Sequence, residues 1–322
     1  MIGQSPAFLE MLRYIEKMAR CDAPVLIEGE TGTGKELVAR AIHYGGARGE
    51  SPFIPVNCGA IPDALIENEL FGHKRGAYTD AQSDDPGLIT HARHGTLFLD
   101  EVDALSSKAQ IVLLRFLQDQ QYRPLGGAQI LSADVRVIVA SNVNLTRLAE
   151  QGAFRLDLLF RLKIMYLKLP PLRERQGDAA LLANHFVQVC AQRFGYGDKT
   201  LHPDTLAWFE QYYWPGNIRE LENLICREYL LEDSAVIRIK APQFNVTERR
   251  SGRDRRQSTL TSEAFNAAKN HAIARFEQCY LSEALAKAQG NVTKAAKLAG
   301  KERRAFGKLL KKYSLDKRLY YH

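Results

Sequence analysis

Gly29-Glu30-Thr31-Gly32-Thr33-Gly34-Lys35 follows the apolar run Val25-Leu26-Ile27 and opens a helix-forming stretch at 36–43. Strand, glycine-rich loop and helix in that order are what a phosphate-binding loop requires. The glycines let backbone N–H groups curl around a phosphate, Lys35 reaches its outer oxygens, and the helix N-terminus adds positive potential. Gly29 to Lys35 are therefore candidate cofactor-binding residues, with ATP and Mg²⁺ as the expected ligands. Glu36 stands where such loops usually place a Ser or Thr hydroxyl for the metal, which counts against the assignment; a ligand-free glycine turn is the plain alternative.

Further along, Thr96-Leu97-Phe98-Leu99-Asp100-Glu101 reads as an apolar strand ending in two acids, 65 residues after Lys35. Asp100 would hold Mg²⁺, directly or through water, and Glu101 would polarise the water that attacks the γ-phosphate. Acids at a strand end also cap helices, so the weight lies on the two motifs together. A third strand, 135–140, runs into Ser141-Asn142. The Asn142 amide suits sensing the γ-phosphate or orienting the water, and it equally suits a turn.

Around these motifs, β-rich runs at 24–28, 53–56, 97–99, 135–140 and 164–169 alternate with helix-forming sequence, which predicts a parallel α/β sheet over 1–170. From 171 to 240 helical patterns at 179–194, 203–213 and 217–230 predict a helical lid. Residues 241–262 are polar and arginine-rich and read as a linker, and 263–322 return to helix. With 45% apolar and 25% charged residues the bulk of the chain is not disordered. No apolar run approaches the ~18 residues of a membrane span, so a cytoplasmic protein without a membrane partner is expected. Five scattered cysteines with no CxxC pair are expected to be reduced core thiols.

Charge is divided unevenly. Residues 248–322 carry 18 Lys and Arg against 7 Asp and Glu, whereas 1–247 carry 26 against 30. A basic tail on a mildly acidic body points to a polyanion partner for the tail. Within it, Gly290-Asn291 ends one helix and begins another, small residues Ala295, Ala296 and Ala299 permit close packing, and Gly300 supplies a tight turn. The next helix places Phe306, Leu309 and Leu310 inward and Arg303, Arg304, Lys308, Lys311 and Lys312 outward. That is a helix-turn-helix with a basic recognition helix, and with Thr293 these five are the candidate contacts to double-stranded promoter DNA.

Several stretches together resemble one family over nearly the whole chain: Gly-Glu-Thr-Gly-Thr-Gly-Lys-Glu (29–36), Val-Asn-Cys-Gly-Ala-Ile (56–61), Glu-Leu-Phe-Gly-His (69–73), Gly-Thr-Leu-Phe-Leu-Asp-Glu (95–101) and Trp-Pro-Gly-Asn-Ile-Arg-Glu-Leu-Glu-Asn (214–223). They are similar to bacterial enhancer-binding proteins, the NtrC-type AAA+ activators of sigma-54 RNA polymerase. The resemblance implies an α/β AAA+ core, an AAA+ helical lid and a Fis-type helix-turn-helix domain. Glu normally follows the loop lysine in that family, which removes the objection to Glu36. It also implies that Asn57 is the switch residue restraining Glu101, Asn142 sensor I and Arg219 the lid's sensor II.

The segment 154–162 is similar to the family's arginine-finger segment, so Arg155 and Arg161 are expected to reach a neighbour's γ-phosphate; the ordinary alternative is a surface pair with Asp157. Fingers used in trans imply a homo-oligomer, a dimer at rest and a hexamer when active. RNA polymerase holoenzyme is the further implied partner. The resemblance also implies a receiver or sensory domain, which this sequence lacks, so truncation or regulation in trans is expected.

One loop departs from the family. Its polymerase-contacting Gly-Ala-Phe-Thr-Gly-Ala is here Gly76-Ala77-Tyr78-Thr79-Asp80-Ala81. Tyr78 keeps an aromatic tip beside Thr79, but Asp80 adds a charge and removes a residue free to adopt positive φ. The expectation is a regulator that binds ATP and promoter DNA yet acts without sigma-54, with the conventional sigma-54-dependent hexameric ATPase as the alternative. Some members with degenerate loops answer to cyclic di-GMP in biofilm control, so that nucleotide is an expected effector.

Overall fold

The computed structural model describes residues 1–63, 65–78, 81–240, 288, 291–298, 306, 307 and 310. They fall in two units, Met1–Gln243 and Phe244–His322.

The first unit begins with α1 (Pro6–Ala19), β1 (Val25–Glu28), α2 (Lys35–Tyr44) and β2 (Phe53–Asn57). It continues through α3 (Ile66–Phe71), α4 (Gly87–His91), β3 (Thr96–Asp100) and α5 (Ser107–Asp119). A small hairpin, β4 (Gln121–Tyr122) with β5 (Leu131–Ser132), precedes β6 (Arg136–Ser141), α6 (Leu145–Glu150), α7 (Leu156–Leu162) and β7 (Met165–Lys168). Five strands form one parallel sheet in the order β2-β3-β6-β1-β7. The α/β sheet read from the sequence is present, and each of the five β-rich runs supplies one of its strands.

The central strands are apolar on both faces because helices cover both. Leu26, Leu97, Leu99, Val137 and Val139 point into the layer containing Phe71, Leu113, Phe116 and Leu158. Their alternating neighbours Val25, Ile27, Phe98, Ile138 and Ala140 point into the layer of Phe8, Met11, Val38 and Ile42. The period of two along each strand thus assigns α1 and α2 to one face and α3, α5 and α7 to the other.

The lid comprises α8 (Asp178–Phe194), β8 (Thr200–Leu201), α9 (Pro203–Phe209), α10 (Asn217–Leu231) and β9 (Val236–Ile237) around Trp214, Leu221, Ile225 and Tyr229. It differs from the sequence expectation in two ways. The lid is not purely helical, since β8 and β9 form a two-residue parallel pair too short to leave a pattern. The helix expected over 203–213 stops at Phe209, whose carbonyl accepts the Nε1–H of buried Trp214 (2.9 Å) instead of continuing the helical ladder.

In the second unit, α11 (Val292–Leu298) starts at Asn291, whose Oδ1 accepts the N–H groups of Thr293 (3.0 Å) and Lys294 (3.2 Å). Ala295, Ala296, Phe306 and Leu310 are buried, and Thr293 is exposed. The linker 241–262, Leu309, and the candidate DNA contacts Arg303, Arg304, Lys308, Lys311 and Lys312 lie outside the described residues, as does Cys279. Cys58 and Cys190 are buried thiols as expected, but Cys21 is exposed. Among the described residues no helix is long and apolar enough to cross a membrane.

Candidate nucleotide site

β1 lies between β6 and β7, and β3 lies beyond β6, so the loops leaving β1, β3 and β6 open on one edge of the sheet. Ligands of open α/β sheets bind at such carboxyl ends. Register places Asn57 opposite Asp100 and Glu28 opposite Ser141, which brings the sequence motifs to a common depth. A cavity of about 560 Å³ opens there, within the ~300–1,000 Å³ usual for small-ligand sites. Its walls include Thr31 to Glu36, Asn57, Asp100, Glu101, Asn142 and Arg219.

Gly32 (φ 79°) and Gly34 (φ 94°) sit in left-handed backbone that a side chain would strain. Lys35 begins α2, and its Nζ donates to the carbonyls of Gly29 (2.9 Å) and Glu30 (3.3 Å). Burial pulls the Lys35 ammonium below its ordinary pKa, with Asp100, Asp103 and Glu101 acting in the opposite sense. A phosphate arriving beside it would restore the favoured charge balance.

Glu101 is held at φ 54°, in the left-handed region, immediately after the β3 strand end. Asp100 Oδ1 accepts the Glu101 N–H at 2.9 Å. A Cβ on Gly59 would come within 2.5 Å of Glu101 Oε2, so a side chain at 59 would push the end of the carboxylate aside. Asn57 flanks the same gap and uses its Oδ1 to accept the Ala60 N–H (3.2 Å). Below them the Cys58 thiol is pushed up to about 12, first by burial and then by Asp100, Asp103 and Glu101, and stays a neutral packing group.

The lid is docked directly on the loop. A Cβ at Gly32 would stand 2.2 Å from the Gly216 carbonyl, and the Ile218 N–H donates to the Gly32 carbonyl at 3.0 Å. Fully buried Asn217 accepts the Leu172 N–H (2.8 Å) and donates to Thr31 O (3.1 Å) and Glu30 Oε2 (3.2 Å). These contacts carry the exposed Arg219 into the cavity wall.

Three expectations about side chains are refined. Glu30 is in the loop, but its carboxylate faces the lid, paired through both oxygens with Arg173 (2.6 and 2.7 Å), which holds its pKa below the usual range. Neither Glu30 nor Gly29 lines the cavity. The Glu36 carboxylate pairs with Arg40 one turn along α2 (2.7 Å). Arg155 and Arg161 lie outside the cavity: Arg155 pairs with Asp157 (2.7 Å), the ordinary alternative weighed from sequence, while exposed Arg161 has no ion pair among the described residues. Leu156 and Phe160 beside them are 54% and 69% exposed.

Sequence reasoning missed the apolar half of the cavity, formed by Ile2, Phe8, Met11, Leu182, His185, Phe186 and Ile218. Phe8 and Met11, three apart on α1, read simply as a core face. In the polymerase-loop segment, the Gly76 N–H donates to Ala81 O (2.9 Å), and the Tyr78 ring rests 5.0 Å from that of His73. Thr79 and Asp80 lie outside the described residues.

A parallel sheet whose open edge carries a phosphate loop capped by a helical lid is the arrangement of the AAA+ class. Family models match the chain throughout: "Sigma-54 interaction domain" over residues 1–168, "AAA+ ATPase lid domain" over 173–259 and "Bacterial regulatory protein, Fis family" over 272–313. The chain belongs to the sigma-54-interacting enhancer-binding regulators of the NtrC and AtoC type. It is 38% identical to regulatory protein AtoC of Escherichia coli, covering 98% of this chain and 68% of AtoC. It is 47% identical over 227 residues to the regulator NtrC of Salmonella typhimurium, covering 70% of this chain and 48% of NtrC. The crystal structure of NtrX from Brucella abortus in complex with ATP is similar with a TM-score of 0.68 at 31% identity, covering 98% of this chain and 69% of NtrX. The chain thus spans about two thirds of the length of AtoC and NtrX.

Proposed function

We propose that the chain binds and hydrolyses ATP in this cavity, assembles into a ring, and uses the cycle to act on RNA polymerase holoenzyme from promoter DNA held by its Fis-type domain. One observation carries the reading: a single cavity collects the loop lysine, the strand-end acids, two amides and the lid arginine from five separate stretches of sequence. Lys35 and the loop N–H groups take the phosphates, Glu101 orients the attacking water with Asn57 and Asn142 beside it, and Arg219 reports the γ-phosphate to the lid. Among the described residues no group of three or more His, Cys, Asp or Glu could hold a metal by itself. That fits Mg²⁺, which is held by one or two carboxylates, phosphate oxygens and water, with Asp100 as the protein's contribution. When bound, the ion neutralises phosphate charge.

Arg155 and Arg161 act across a protomer interface to which exposed Leu156 and Phe160 contribute apolar surface. Asp157 would release Arg155 to the incoming phosphate. The NtrX structures with ATP and with ADP support the choice of nucleotide. Thr293, Arg303, Arg304, Lys308, Lys311 and Lys312 are the DNA contacts in this reading.

The test is reconstituted transcription with sigma-54 and with housekeeping holoenzyme. ATP-dependent open complexes with sigma-54 holoenzyme, lost on Thr79→Ala, support the conventional motor. A second reading, action without sigma-54 and under cyclic di-GMP control, is favoured by the charge of Asp80. Of the two cations that could neutralise it, Lys74 pairs with Asp84 at 2.6 Å, while Arg75 gives Asp84 only its backbone N–H (2.8 Å). A carboxylate pressed against a polymerase surface costs about 2 kcal/mol or more unless a cation such as Arg75 pairs with it. Output from the housekeeping holoenzyme that responds to cyclic di-GMP and is unchanged in Asp80→Gly would select it.

A further inference from the structure

The base end of the cavity is walled on one side by Met1 and Ile2, part of a segment with no regular secondary structure before Ser5. What holds it is a carboxylate 173 residues away. Asp178, 1% exposed at the first turn of α8, accepts the Gln4 N–H (2.7 Å) and Ser5 N–H (3.1 Å) on Oδ1. Its Oδ2 accepts the Ser5 hydroxyl (2.8 Å) and Arg175 Nε (2.9 Å). Arg175 then donates through Nη2 to the Ile2 carbonyl (2.9 Å) and lies over the Phe8 ring, 4.6 Å from its centroid.

Gly3 completes the fit, since a Cβ there would meet Phe8 and Arg175 at 2.6–2.7 Å. Ser5 also caps α1, its Oγ accepting the Phe8 N–H (3.3 Å). Asp178, Leu182, His185 and Phe186 follow at intervals that share one face of α8, and the last three line the cavity. Burial alone would raise the Asp178 pKa, yet the Gln4 N–H, Arg175 and Ser5 outweigh it and the carboxyl stays charged.

We infer that Asp178 is a positioning residue for nucleotide binding: with Arg175 it fastens the segment Met1–Ser5, whose Met1 and Ile2 wall the base-end subsite, to the lid. The inference rests on reading this cavity as the nucleotide site. The segment is stitched to the lid through Asp178 and Arg175, while Ser5 ties the same point to α1 in the core. Loss of this network therefore loosens the wall of the base end while the contacts of Ile218, Asn217 and Arg173 that dock the lid on the phosphate loop stay in place. A ligand with a base should feel the network, and one made only of phosphates should not.

The experiment compares the affinities of the full chain for ADP and for inorganic tripolyphosphate, in wild type, Asp178→Asn and Ser5→Ala. Thermal unfolding of each variant reports whether it is folded. The expected result is about a tenfold or greater loss of ADP affinity with tripolyphosphate affinity kept within about twofold. If Asp178→Asn does not fold, Ser5→Ala alone decides, since it removes one hydroxyl and leaves the charge pair. Equal loss for both ligands, or no loss for ADP, overturns the inference. Failure of wild type to bind either ligand would instead overturn the nucleotide site itself.

Discussion

At the scale of single residues, the proposed function gives Lys35 the binding of phosphate and Glu101 the hydrolysis. Lys35→Ala removes the buried ammonium that faces the phosphates and is expected to abolish detectable ATP binding by calorimetry. Glu101→Gln keeps the shape beside Gly59 but loses the charge that orients water, so ATP should still bind while the hydrolysis rate falls about 10²- to 10⁴-fold. His43 gives a pH dependence. Its Nε2 faces the Ser51 carbonyl (3.1 Å), which can only accept, and its Nδ1 lies 2.9 Å from the Thr96 hydroxyl, which can donate to a neutral ring. Burial lowers its pKa from 6.5, so the unfolded chain takes up a proton first as pH falls. The His43 contribution is complete above pH 6.5 and is lost below it, and His43→Gln should flatten the fall in melting temperature between about pH 7 and 5. Lys35, Asn57 and Asp100 were legible because each ends a strand or opens a helix within one short motif. Gly59 and Asp178 were not, because their reasons lie in partners far along the chain.

At the scale of elements, the docking of α10 on the phosphate loop joins lid to core. Gly32→Ala would place a Cβ against the Gly216 carbonyl in backbone that disfavours any side chain. The expected outcome is a loss of at least about 1 kcal/mol in unfolding free energy together with weaker ATP binding, read by thermal unfolding and titration. Unchanged stability would show that the lid is not packed on the loop as described. The strands of the central sheet were readable since buried parallel strands are continuous apolar runs. The two-residue strands of the lid and of the β4–β5 hairpin were not, because pairing that short is set by tertiary contact. The sheet order, which creates the site, also had no local signal: β6 inserts between β3 and β1 although it comes later in the chain.

At the scale of the whole molecule, the cavity of one protomer contains the two strand-end acids, two amides and a lid arginine but neither arginine of the segment 154–162. In the proposed reading a complete catalytic centre needs a second protomer, whose Arg155 or Arg161 enters from α7. The motif spacing in the sequence anticipated the separate parts, and the two arginines, expected from the sequence to serve a neighbour, lie outside the cavity of their own protomer. The most direct measurement is the ATP hydrolysis rate per protomer as a function of protein concentration, for wild type and for Lys35→Ala. The per-protomer rate is expected to rise with concentration to a plateau in wild type and to stay at background in Lys35→Ala. A rate per protomer independent of concentration down to the monomer, or hydrolysis that survives Lys35→Ala, would show that the centre is not shared between protomers or not built on this loop.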